Sequence, residues 1–296
     1  FVILKKDKFN ILYIKEDLFL KSLGLYRFIP NIYCEEEKLD ALLPDSPYSN
    51  DQNDNFNLGI LKNSQIPFPP VWDDLLRLHR IVRYRKCISI LEFGVGKSTI
   101  FFSDALLRNK YDSEKYIASN IRCHTPYKLF SIDNNHSWID QCRKTISNFR
   151  NLENIYEFFY SGIKMSTFNG KICTLYDSLP QISPDLIYLD APDQYSVIGD
   201  INGYSTRHAD SMPMSGDILA IEHFLQPGTL IVVDGRAANA RFLKCNLQRN
   251  WSYLYVPDFD QHFFELLEEP LGYINKRRIE FCLGENYFKR LELSDD

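Results

Sequence analysis

The sequence predicts an α/β chain built on a doubly wound, mostly parallel sheet with an antiparallel edge. Three observations lead there. Apolar runs of strand length recur at residues 87–93, 128–133, 155–160, 186–190 and 229–234. Segments with apolar residues at helical spacing separate most of them. Further strand candidates then crowd the C-terminal end, as an antiparallel edge requires.

Residues 1–70 do not follow this rhythm. Phe9–Ile14 reads as a strand and Glu16–Leu25 as a short helix. A polar stretch marked by Pro44, Pro67, Pro69 and Pro70 follows and reads as a linker. We take 1–70 as an N-terminal extension, a cap or a segment that assembles a homo-oligomer, and 71–296 as the main domain. Leu75, Leu76, Leu78, Ile81 and Val82 predict a helix over Trp72–Tyr84. The first strand, Cys87–Phe93, leads into a helix from Ser98 to about Asn109. Residues 110–127 read as a polar, irregular insertion. Strand Lys128–Asp133 precedes a helix over Ser137–Phe149. Strands Ile155–Tyr160 and Leu186–Asp190 follow, the latter wholly apolar until its end, as central parallel strands are. A helix over Gly216–Leu225, a strand over Thr229–Asp234 and a helix over Ala237–Gln248 continue the alternation. Trp251–Val256, Phe263–Leu267 and Arg278–Leu283 are the last strand candidates.

Composition narrows the function. With 296 residues, 45% of them apolar, the chain can bury a sizeable core. A net charge of −5 without a long basic run argues against nucleic acid as partner. The seven cysteines are scattered with no Cys-x-x-Cys pair, which fits a reducing, cytoplasmic setting and argues against a zinc site. No apolar run reaches the ~20 residues of a membrane span. Phe1–Leu4 is broken at once by Lys5, Lys6, Asp7 and Lys8, so it is not a signal sequence.

The richest stretch is Leu91-Glu92-Phe93-Gly94-Val95-Gly96-Lys97-Ser98-Thr99. Its strand–turn–helix pattern places backbone N–H groups beside a nucleotide-like ligand. Its Gly-Lys-Ser-Thr ending imitates a phosphate-binding loop, but that loop needs a glycine where Leu91 stands. Glu92 would also repel a triphosphate. A Gly-x-Gly turn preceded by an acid suits a ligand with ribose hydroxyls and a positive charge. Asp133, Asp190 and Asp234 stand at the ends of three further strands. Ligands bind at that edge of a doubly wound sheet, and like charges gathered there call for a cation, a metal or solvent between them.

At these residues the chain resembles the class I S-adenosylmethionine-dependent methyltransferases, whose first motif is a strand ending in Asp or Glu followed by Gly-x-Gly. Ser98 stands where their third glycine usually lies. The resemblance covers about residues 85–284 and implies the same architecture. It implies S-adenosylmethionine as cofactor, held by Glu92, Phe93, Gly94, Gly96, Ser98, Thr99, Asp133 and Asp190, with Asp133 accepting from the ribose hydroxyls. The acceptor it implies is a hydroxyl of a sugar or other small molecule. In the catechol-type and macrolide-sugar members, acids at the positions of Asp190 and Asp234 help hold a divalent metal. Those members carry a second Asp or Asn where this chain has Gly235, so Asp190 and Asp234 either hold Mg²⁺ with water or form a metal-free site. Without metal, Asp190 is the first candidate base, with His208 in the loop before the next helix another. Arg236 could pair with Asp234 or bind an anionic acceptor group. His223 reads as a structural residue in mid-helix. Two other readings stay open: an ATP-dependent phosphotransferase, favoured only by Gly96–Thr99, and a non-catalytic ligand-binding protein on the same fold.

Overall fold

The computed structural model describes residues 15–42 and 71–294. The expected strand over Phe9–Ile14 and the proline-marked linker lie outside the described residues. Seven strands form one sheet in the order β3-β2-β1-β6-β7-β9-β8. They are β1 (Ser89–Phe93), β2 (Lys128–Asp133), β3 (Tyr156–Tyr160), β6 (Leu186–Leu189), β7 (Leu230–Asp234), β8 (Trp251–Val256) and β9 (Gln261–Leu266). β1, β2, β3, β6 and β7 are parallel; β9 runs antiparallel to β7 and to β8. The expected doubly wound sheet with an antiparallel edge is therefore present.

Both faces are covered. Leu78, Ile81 and Val82 of the Trp72–Tyr84 helix and Phe102, Ala105 and Leu106 of the next helix pack on Ile90, Tyr188, Val232 and Phe263. Ile218, Ala240 and Leu243 pack on Leu91, Ile187, Ile231 and Phe264 of the other face. Alternate residues of each strand thus feed opposite cores. At ~25 cal/mol per Å² of apolar surface, this two-sided burial is the main stabilising contribution. Residues 15–23 are helical, and a second helix spans Pro30–Glu37. Phe19, Leu23 and Leu25 join the first core, while Tyr33, Leu39 and Leu42 pack with Leu75, Leu76 and Phe101.

Three expectations are corrected. The helix after β1 runs Lys97–Asn120 rather than stopping near Asn109, so residues 110–120 are no irregular insertion. Ile117 turns into the core while Tyr111 and Tyr116 stay exposed, and Lys110 pairs with Glu114 one turn on at 3.5 Å. The polar character of 110–120 is that of a solvated helix face. Arg278–Leu283 is not a strand but part of the Gly272–Cys282 helix, where Asn275, Arg278, Ile279 and Cys282 are buried at i, i+3, i+4 and i+7. A hairpin that the sequence pattern did not predict, β4 (Ile163–Phe168) and β5 (Lys171–Tyr176), follows β3. Its turn is Asn169-Gly170, both at positive φ, which Asn and Gly tolerate best. The helix expected over Gly216–Leu225 is shorter, Asp217–Ile221 followed by one 3₁₀ turn over Glu222–Phe224.

Candidate functional site

Sheet register gathers the acids. Phe93 pairs with Ile132 on one side and Leu189 on the other, and Leu189 pairs with Val233. One residue further, Asp133, Gly94, Asp190 and Asp234 come level across four adjacent parallel strands. The row continues to Tyr160 beside Asp133 and to Gln261 beside Asp234. With strands about 4.8 Å apart, Asp133 and Asp234 stand roughly 14 Å from one another, enough for an elongated ligand.

Gly94 sits at the centre at φ +102, in the left-handed region that favours glycine. A Cβ there would come within 3.0 Å of Ala191 Cβ, so the β1 and β6 loops touch only because it is absent. Above Gly96 a Cβ would meet nothing within 4 Å, which leaves open space over the turn. The amides of the turn are already used. Gly94 N–H donates to Ile132 O at 2.9 Å, Val95 N–H to Asp133 Oδ2 at 3.0 Å and Gly96 N–H to Thr99 Oγ1 at 3.1 Å. The N–H groups of Gly94, Val95 and Gly96 are thus taken up within the chain. Lys97 places its ammonium 5.8 Å from the Trp72 ring.

Glu92 is fully buried. Its carboxylate accepts from the hydroxyls of Thr99 at 2.7 Å, Ser98 and Ser131. Burial drives its pKa up to about 7, against the pull of these three donors. Ser98 and Thr99 therefore turn their hydroxyls inward. Phe93 is also fully buried, stacked on Tyr176 with centroids 5.9 Å apart. Glu92, Phe93, Ser98 and Thr99 build the floor of the turn, whereas Gly94 and Gly96 form its open rim.

Asp133 accepts the Val95 N–H on one oxygen and the Asn135 N–H, at 2.8 Å, on the other. It does not cap the following helix. That is done by Asn135, whose Oδ1 accepts from Ser137 and Trp138. Each Asp133 oxygen keeps lone-pair capacity for a hydroxyl donor. Burial raises the Asp133 pKa, with the backbone donors opposing.

Asp190 is exposed at the sheet edge, its side chain 58% accessible. The surrounding protein lifts its pKa to about 6, with Arg236 lowering it and Asp234 and Asp133 raising it. Arg236 pairs with Asp190, not with Asp234: its Nε lies 3.5 Å from Asp190 Oδ1, and its Nη1 and Nη2 donate to the carbonyls of Pro192 and Asp190. This guanidinium fixes the loop after β6 through two of its five N–H groups and its pairing with Asp190. Asp234 accepts the Tyr188 hydroxyl at 2.6 Å.

His208 stands apart from the row. Its ring is 70% exposed and accepts the Asp210 N–H at 3.2 Å. His223 lies in the 3₁₀ turn and is exposed, not in mid-helix. The structure adds residues that sequence reasoning missed. Asp74, in the first turn of the Trp72–Tyr84 helix, lies near enough to Asp234 to sense its charge; burial first, then Asp234, raise its pKa to about 6. Arg77 pairs with Asp74 and lies 4.0 Å over the Phe259 ring. Tyr176 buries a hydroxyl that lacks a partner close to Asp133 and Arg236. Acids in the first turn of a helix read as dipole partners, and a strand glutamine carries no signal, so nothing in the sequence singled these out. Among the described residues no three His, Cys, Asp or Glu side chains form a metal-holding group, and no helix is long and apolar enough to cross a membrane.

No family model matches the chain, and no curated protein does. Solved structures similar to it include three methyltransferases. One from Geobacter sulfurreducens shares 12% identity at a TM-score of 0.41, over 78% of this chain and 97% of that one. The SAH-bound PaMTH1 of Podospora anserina shares 14% at 0.39, over 76% and 99%. An O-methyltransferase from Bacillus cereus in complex with SAH shares 12% at 0.38, over 81% and 100%. Likeness at this level decides nothing about chemistry. The architecture itself is class I methyltransferase-like. Strand order, the antiparallel β9 and the turn after β1 carry that statement. In this methyltransferase-like sheet the open rim of the turn and the carboxylate row share one edge.

Proposed function

We propose that the chain is an S-adenosylmethionine-dependent methyltransferase acting on a hydroxyl of a small molecule. One observation carries the reading: the edge around Gly94 gathers carboxylates. The amides of Gly94, Val95 and Gly96 are spent, and Asp133, Asp190 and Asp234 stand in a row. Such an edge repels a triphosphate and favours hydroxyls, an ammonium group and a sulfonium. The same observation weighs against ATP.

The residues fit S-adenosylmethionine, with Asp133 to accept from ribose hydroxyls and the open space above Gly96 to admit the cofactor. When bound, it would supply an electrophilic methyl group, and Asp190 would take the proton given up by the acceptor hydroxyl. A carboxylate with a pKa of about 6 at the sheet edge is suited to that proton. Asp234, held by Tyr188, accepts a hydrogen bond from the acceptor. The donor set fits Mg²⁺ poorly, because a guanidinium already lies against Asp190 and a phenol occupies Asp234. No step is routed through a metal. Residues 15–42 serve as a cap, since their apolar side chains complete cores of the main domain.

The test is thermal unfolding with S-adenosylhomocysteine, ATP with Mg²⁺, or NAD. S-adenosylhomocysteine alone should raise Tm. In Asp133→Ala its affinity should fall at least about tenfold, and loss of two backbone-donor contacts should lower stability by about 1–3 kcal/mol. Stabilisation by ATP alone would sink the reading. Binding without turnover over a broad set of hydroxyl acceptors would favour the non-catalytic alternative.

A further inference from the structure

A closed ring of hydrogen bonds fastens the N-terminal cap to the main domain. It joins three helices: Pro30–Glu37 of the cap, Trp72–Tyr84 and Lys97–Asn120. The Tyr33 hydroxyl lies 2.7 Å from His79 Nδ1, and His79 Nε2 lies 3.0 Å from Asp104 Oδ2. Arg108 donates from Nε to the same Asp104 oxygen at 2.5 Å and from Nη1 to Glu37 at 3.1 Å. Glu37 stands one turn after Tyr33 on the cap helix, so the ring closes. Tyr33 and His79 are buried at its centre, with the Phe101 ring edge-on to the imidazole at 6.4 Å.

The partners fix the protons. Burial would raise the Asp104 pKa, but His79 and Arg108 outweigh it and hold Asp104 below the ordinary carboxylate value. A carboxylate only accepts, so His79 Nε2 bears the hydrogen. Burial also keeps the Tyr33 phenol protonated, and Nδ1 accepts from it. Burial lowers the His79 pKa below the ordinary 6.5 against the pull of Asp104, and Arg108 and Arg83 add repulsion. The docked imidazole is thus neutral. A second proton would go to Nδ1 and meet the hydrogen of the Tyr33 hydroxyl. The other charges facing the ring offer no relief: Arg80 is a further cation, and Glu37 is already paired with Arg108. Apolar contacts of Phe19, Leu23, Leu39 and Leu42 also hold the cap, and these do not titrate.

We propose that Tyr33, His79 and Asp104 form a proton-operated latch: a proton taken from solvent at His79 Nδ1 breaks the bond to Tyr33 and loosens residues 15–42 from the main domain. The cap is closed at neutral pH and opens more often in mildly acid solution. The contacts it loosens include Ile100 and Phe101, which follow directly on Ser98 and Thr99 beneath the Gly94 turn. The latch does not depend on the methyltransferase reading, since none of its three residues belongs to the carboxylate row.

Amide hydrogen exchange on the full chain tests it, with rates corrected for the intrinsic effect of pH. Opening exposes an imidazole of pKa about 6.5. From pH 7.5 to 5.5 the protection of residues 15–23 and of helix Pro30–Glu37 should therefore fall about tenfold, as one linked proton requires. Protection of β6 and β7 should not fall with it. No fall in the cap, or an equal fall in both regions, overturns the proposal. His79→Gln keeps an amide able to donate to Asp104 but does not titrate, so the pH response of the cap should vanish; a persisting response overturns the latch. Tyr33→Phe leaves Nδ1 without its donor and should lower cap protection at pH 7.5 roughly tenfold. Unchanged protection there would show that the bond does not hold the cap. The wild type gives a check that needs no variant. With histidine rings labelled for nitrogen NMR, His79 should be neutral at pH 7.5 with its hydrogen on Nε2, and a charged ring or the other tautomer overturns the proposal.

Discussion

The two edges of the sheet treat buried charge in opposite ways. At the amino edge, Glu265 lies between two arginines, its Oε1 2.9 Å from Arg85 Nη1 and its Oε2 paired with Arg290. Arg278 pairs with Asp185 at 2.7 Å, and Asp185 also accepts the N–H groups of Ile88 and Ser89. The Glu265 pKa is held down, its two guanidinium partners outweighing burial. At the carboxyl edge Glu92, Asp74, Asp133, Asp190 and Asp234 all have raised pKa values, with burial the first cause of each. One edge is neutralised from within the chain. The other keeps five carboxyl groups against the two guanidinium groups of Arg77 and Arg236, an excess of acid that marks a candidate site.

The sharpest way to break the contrast is Glu265→Ala. It leaves two buried guanidinium groups without a counter-charge and should cost about 3–5 kcal/mol in denaturant unfolding. A cost below about 1 kcal/mol would mean the amino edge is not held by this pairing. Asp190→Asn should do the reverse, lowering kcat roughly 10²–10⁴-fold with little change in Tm or S-adenosylhomocysteine affinity. In the wild type, kcat/KM should rise with pH to a plateau above about 6, because the base works only when ionised. A profile flat between pH 5 and 8 would take the proton away from Asp190. Glu92→Gln gives the smallest effect and the most specific one. The folded pKa of Glu92 lies at about 7, above the ordinary 4.5. The native state therefore binds the extra proton, and wild-type stability falls as pH rises from 4.5 to 7. The variant lacks that loss, so its Tm relative to wild type should climb from pH 5 to pH 8, by an equivalent of at most roughly 3 kcal/mol. A pH-independent difference would mean Glu92 is ionised throughout.

Much of the fold was legible because strand and helix periods are local properties. The Trp72–Tyr84 helix and the strands Lys128–Asp133 and Trp251–Val256 match their expected bounds. The errors fall where a local pattern serves two structures. The polar run after Asn109 fits a loop or a solvated helix face, and Arg278–Leu283 fits a strand or a helix buried at every third or fourth residue. The Asn169-Gly170 hairpin was within reach of the turn signal but flanked by strands too mixed to stand out.

The sequence by itself determined the sheet and the acids at the ends of its strands. An apolar strand of four to six residues buries itself whatever surrounds it, and its polar terminus must emerge at the edge. Tertiary structure alone decided which acids touch what. Register set Asp133, Asp190, Asp234 and Gln261 in one row. The fold around the Gly94 turn used up its amides and buried Glu92 under three hydroxyls. Packing of the Trp72–Tyr84 helix carried Asp74 and Arg77 to the Asp234 corner. These are contacts between residues tens to hundreds of positions apart, and no local period encodes them.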